Sequence, residues 1–175
     1  MRAARVHKPG PPDVIVVEDI DVPKPRAQEV LVRIYAAGVG PWDALVRTGK
    51  SSLPLPYPVT LGSEISGVVE KLGPNTDGFA VGAEVFGATN PLFINAYAEY
   101  AIATAKMIAR RAANLSHLGA AGVQSDYFIV DVNKDQLTQL AQRHERQEST
   151  IPVGSILPLA DAVAAHTNTE KSSSK

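Results

Sequence analysis

The 175-residue sequence contains no cysteine, which excludes disulfides, thiolate metal sites and a cysteine nucleophile together. It also lacks a charge imbalance: 17 Lys and Arg stand against 18 Asp and Glu, for a formal net charge of −1. Such a chain has no general field to attract nucleic acid or an anionic membrane, and neither partner is expected. Long apolar runs are missing as well. None approaches the roughly 20 residues needed to span a bilayer, and the start, MRAARVHKPG, is too polar for a signal peptide. A cytoplasmic location is the resulting expectation. With 45% hydrophobic residues, the chain is large enough for one domain with a real core, and two full domains are a tight fit.

What is present falls into two parts. The first hundred residues predict short strands between turns: Ala3 to Val6, Val14 to Glu18, Gln28 to Ala36, Ile65 to Leu72, Ala83 to Ala88 and Tyr97 to Ala103. Gln28 to Ala36 is the best of them, with Val30, Val32 and Ile34 on one face and Arg33 and Tyr35 on the other. Lys8-Pro-Gly-Pro-Pro12 and Gly73-Pro-Asn75 punctuate the series. Closely spaced strands of this kind favour a barrel or sandwich over a parallel α/β sheet. The last fifty residues predict a strand at Tyr127 to Val132 and a helix from Lys134 to about Gln147. Asn133 caps that helix with Gln136 as its box partner, and Leu137, Leu140 and Ala141 form its apolar stripe. A second short helix is expected from Pro158 to His166, then a disordered tail over 167–175.

Three stretches, in order and at the right spacing, resemble the medium-chain dehydrogenases and reductases of the quinone oxidoreductase type. They are GVGPWDALVRTGK (Gly38 to Lys50), PVTLGSEISGVVEKLGPNTDGFAVGAEVFG (Pro58 to Gly87) and AYAEYAIATAKMIARRAANLS (Ala96 to Ser116). The segments SDYFIVDVNKDQLTQLAQ and VGSILPLADAVAAH are similar to the family's return into its catalytic domain. The resemblance implies a mainly β fold with flanking helices (α+β), a GroES-like, partly open β-barrel. It makes residues 1–118 and 125–166 one catalytic domain, with 119–124 as a junction where the family inserts its nucleotide-binding domain.

The resemblance also bears on metal and cofactor. Zinc-dependent members place a cysteine and a histidine where this sequence has Gly40 and Ser63; neither side chain replaces the ligand, so no zinc is expected. Full-length members use NADPH. No cofactor is expected here, because no G-x-G-x-x-G follows a strand and opens a helix. In the nearest match, Gly38-Val-Gly40-Pro-Trp-Asp43, an acid stands at the sixth position.

By the same resemblance the walls of the substrate and cofactor cleft come from Pro41, Trp42 and Asp43, with Ser63 and Glu64 opposite. Arg47 or Lys50 would orient a polar acceptor or a phosphate. Each residue has a plainer reading. Trp42 fills core, Asp43 caps a short helix, Arg47 and Lys50 are solvated surface charges, and Glu64 holds its turn by accepting backbone hydrogen bonds. His7, His117, His144 and His166 show no ligand spacing, and no Ser-His-Asp arrangement can be picked out.

Three functions remain open at this point. One is the catalytic domain of an NADPH-dependent quinone or enone reductase, inactive alone. Another is a non-catalytic scaffold that binds a small hydrophobic or quinone-like ligand, or self-associates through an exposed cleft. The last is an engineered or spliced domain deletion.

Overall fold

The computed structural model describes residues 1–53, 55–121, 132–148 and 153–172. Two antiparallel sheets carry the fold. The smaller is built from β1 (Arg2–Val6), β2 (Ile15–Asp19) and β4 (Val59–Thr60), in the order β2-β1-β4. The larger contains β3 (Glu29–Ala37), β5 (Glu64–Leu72), β6 (Glu84–Ala88), β7 (Tyr100–Thr104) and β8 (Ile108–Arg110), in the order β7-β3-β5-β6-β8. The two sheets do not close on one another, so the barrel is partly open as expected. Helices α1 (Pro41–Arg47), α2 (His117–Ala121), α3 (Lys134–Glu145) and α4 (Ala162–Ser172) flank them. Among the described residues no helix is long and apolar enough to cross a membrane.

Alternation in the sequence becomes burial in β3. Val30 and Val32 are fully buried while Arg33 and Tyr35 are exposed. Register slips between Ile34 and Ala36 against β5, so Tyr35 stands out of the ladder as an extra residue. Its ring then stacks on His117 of α2, with centroids 4.8 Å apart. His117 Nδ1 lies 2.7 Å from Ser66 Oγ, and His117 Nε2 lies 3.5 Å from Glu84 Oε1. This trio resembles a catalytic triad only on paper. Ser66 is fully buried inside β5, so the three side chains anchor α2 and present no nucleophile.

The main core joins both sheets through Val6, Ile15, Val30, Leu61, Ile65 and Ile108. A second cluster, Phe86, Ala109, Leu115 and Ala141 with Leu137 and Leu140 against it, seats α3 on the edge of the larger sheet. The Asn133 cap forms as expected, its side chain accepting from the Gln136 amide at 3.0 Å.

Several expectations shift. The strand expected from Tyr97 begins at Tyr100, because Tyr97 pairs instead with both neighbouring segments: its amide donates to Leu61 and its carbonyl accepts from Ala4, each at 2.8 Å. The helix expected to end at His166 starts with a turn at Leu159–Asp161 and runs on to Ser172. The tail reading therefore fails for 167–172, where Glu170 docks on the body of the protein. The strand expected at Tyr127 to Val132 lies outside the described residues except for Val132. Of the junction, 119–121 belong to α2 and the remainder lies outside as well.

Candidate functional site

The site forms where α1 meets the start of β5. Gly40 precedes α1 in extended geometry and Pro41 occupies the first helical position, where its missing N–H costs nothing. Asp43, at the third position, turns back so that its Oδ2 accepts the Gly40 amide at 2.8 Å. The capping role read from the sequence is thus real. It does not exhaust the residue, because the same Oδ2 accepts the Tyr97 hydroxyl at 2.8 Å.

Trp42 Nε1 donates to Ser63 Oγ at 3.3 Å, tying α1 to the segment before β5. Gly62, just before it, adopts φ +83°, and an ideal Cβ there would lie 2.3 Å from the Tyr97 ring. Only glycine satisfies both demands. Trp42, Asp43, Ser63, Glu64 and Tyr97 are thereby brought to one place.

Electrostatics within this group are strained by burial. Asp43 is fully buried, and desolvation pushes its carboxyl up to about 6 despite the Gly40 amide, the Tyr97 hydroxyl and the Gly62 amide. Glu64 is pushed up to about 8, first by desolvation and then by the neighbouring Asp43 charge, against the Ser63 hydroxyl and its own amide. Burial and the Asp43 carboxylate hold the Tyr97 phenol well above its ordinary value. Asp43 Oδ1 and Glu64 Oε2 are buried without a hydrogen-bond partner among the described residues. Orphaned carboxyl oxygens are unusual in a folded core, and perturbed carboxyls of this kind tend to occur at functional sites. Glu64, expected to hold its turn by accepting backbone hydrogen bonds, accepts from its own amide, while Oε2 has no partner among the described residues.

The remaining candidates part company with this group. Pro41 and Lys50 are exposed. Arg47, expected as a solvated surface charge, is 1% exposed. Its guanidinium donates to the Gly10 carbonyl, to Glu170 Oε1 and, at 3.4 Å, to His166 Nδ1. His166 is itself buried, stands edge-on to the Tyr97 ring at 5.7 Å, and is driven down to about 4 by desolvation and by Arg47. Sequence reasoning missed Tyr97, His166 and Glu170. Tyr97 had a signal in the AYAEY stretch; the other two had none, since their partner lies more than a hundred residues away.

The glycine turns do not suit a pyrophosphate. A Cβ on Gly40 would lie 2.4 Å from Trp42 Cζ2, and one on Gly38 would lie 2.4 Å from the Ala121 carbonyl oxygen. The space that glycines leave for phosphate in a dinucleotide fold is filled here by the chain's own atoms. No group of three or more His, Cys, Asp or Glu converges on a metal position among the described residues.

Residues 26–142 match the alcohol dehydrogenase GroES-like domain. The quinone oxidoreductase of Homo sapiens is 36% identical over 129 residues, which is 73% of this chain and 39% of that protein. Among solved structures, the quinone oxidoreductase from Coxiella burnetii superposes with a TM-score of 0.68 at 31% identity, covering 71% of this chain and 41% of that one. The Escherichia coli quinone oxidoreductase complexed with NADPH gives a TM-score of 0.66 at 26% identity, covering 71% and 37%. The chain thus spans about two fifths of the length of the curated relatives it matches. It belongs to the alcohol dehydrogenase GroES-like domain family, as a quinone oxidoreductase-like catalytic domain of the medium-chain dehydrogenases and reductases.

Proposed function

We propose that this chain provides the acceptor wall of a zinc-free quinone- or enone-reducing site, and that the 175-residue chain alone has no useful turnover. The observation that carries this reading is the gathering of Trp42, Ser63, Asp43, Glu64 and Tyr97, with two buried carboxyl oxygens unpaired. An indole face and polar groups that converge on one spot suit a flat, carbonyl-bearing acceptor. Above its ordinary range, the Glu64 carboxyl keeps its proton near neutral pH and can donate to a carbonyl oxygen. NADPH, which accompanies one relative, would need a nucleotide-binding partner, since the glycine turns here are filled. Gly40 and Ser63 supply no ligand to zinc.

Those filled turns also favour a second reading, a binding module that holds a small hydrophobic or quinone-like ligand, or a second copy of itself, without turnover. One experiment addresses both. A stable quinone should quench Trp42, the only tryptophan, in a saturable way, while millimolar NADPH with the same quinone gives no rate above a buffer blank. Turnover above the blank overturns the predicted inactivity. A linear, unsaturable quench overturns the acceptor wall.

A further inference from the structure

The buried cluster at the C-terminal end of α1 has no part in the reading above, yet it touches the same tyrosine. Arg47 is shut from solvent and hydrogen-bonded to Gly10, His166 and Glu170. Two of those three partners belong to α4. Because Arg47 Nε–H donates, His166 Nδ1 accepts, so the imidazole proton must sit on Nε2. That Nε2 is buried without a partner among the described residues. A ring retained at this cost is held for its shape, and the shape meets Tyr97 edge-on at 5.7 Å with an interplanar angle of 81°. Tyr97 in turn has one hydroxyl bond, to Asp43 Oδ2. Its backbone is fixed by Leu61 and Ala4, which leaves the tilt of the ring to its neighbours.

We propose that α4 is a positioning element of the acceptor site: Arg47 docks the helix, the His166 ring seats the Tyr97 ring, and the Tyr97 hydroxyl carries that position to Asp43. Its bearing on ligand binding rests on the acceptor reading given above. The positional chain itself does not. His166 touches no reacting atom and acts through Tyr97. The C-terminal helix, although remote in sequence, therefore governs how Asp43 is held.

Two variants divide the roles of His166. His166→Phe keeps a ring against Tyr97 and gives up the Arg47 bond; His166→Gln keeps an acceptor for Arg47 and gives up the ring. With Asp ¹³Cγ-labelled full-length chain, Asp43 should titrate in His166→Phe as in the parent, near 6. In His166→Gln it should titrate higher, because the Tyr97 hydrogen bond that favours the carboxylate is lost. Quinone affinity, read from Trp42 quenching, should stay within about twofold in His166→Phe and fall about tenfold in His166→Gln, the scale on which outlying orienting partners act. Identical Asp43 titration in parent and His166→Gln, with the amide spectrum showing an intact fold, overturns the proposal. So does a shift in His166→Phe but not in His166→Gln. If neither parent nor variants bind quinone, the acceptor reading fails, and the Asp43 titrations still decide the positional chain.

Discussion

α1 carries two fully buried charged side chains four residues apart, Asp43 and Arg47, and they live in opposite circumstances. Arg47 leaves no side-chain nitrogen orphaned, and its ionic partner Glu170 keeps 43% of its side chain exposed. Asp43 faces Glu64, a second acid, and keeps an oxygen without a partner. A buried charge with matched donors and acceptors is a structural joint, whereas a carboxyl left half-satisfied beside a second acid is what functional sites often hold. Two elements of one short helix thus separate holding the fold from presenting chemistry.

The comparison breaks most visibly at the joint. Arg47→Met should destabilise the chain by about 3 kcal/mol, the low end for removing one member of a buried pair, because Glu170 can return to water. Urea unfolding measures it; a loss under 1 kcal/mol would show the guanidinium to be dispensable. Tyr97→Phe attacks the other side. It strips a hydroxyl from Asp43 Oδ2 and should cost about 2 kcal/mol, with Asp43 titrating higher by carboxyl NMR. Equal stability and an unmoved Asp43 would mean that the hydroxyl is idle.

Acid separates the two clusters by sign. His166 titrates near 4 in the fold against an ordinary 6.5. The unfolded chain therefore binds more protons, and the joint's contribution is complete above pH 6.5 and lost as pH falls toward 4. Asp43 and Glu64 have raised values, about 6 and about 8. Their contribution is complete below pH 4 and lost as pH rises through 6 and then 8. His166→Phe, which leaves Asp43 titrating as in the parent, removes the first trend alone. Between pH 6.5 and 5 it should recover about 1 kcal/mol relative to the parent's own decline, seen as a flatter plot of Tm against pH. An unchanged slope would place the acid sensitivity elsewhere.

Much of this was legible in the residues. The alternation of Val30, Val32, Arg33 and Tyr35 specified β3 and its buried face, and Asn133 marked the start of α3. The stretches around Trp42 and Ser63 pointed to the site through the family resemblance they carry, and the indole bond to the Ser63 hydroxyl joins them. Arg47 was misread because burial of a cation is decided by a partner, and the partner stands 123 residues later in Glu170. The polar run after His166 looked like tail by composition. It folds as helix because Ala162, Ala164 and Ala165 favour that state and Arg47 offers Glu170 a docking point.

The strand order has a consequence for synthesis. β3 is complete by Ala37, but it lies between β5 and β7, and β7 ends at Thr104. At roughly 5–20 residues per second, several seconds pass before its second edge can pair. During that interval the best β-former in the chain presents an open row of amides and carbonyls. The order of synthesis thus leaves this strand with an edge open to wrong pairing until Thr104 has been made.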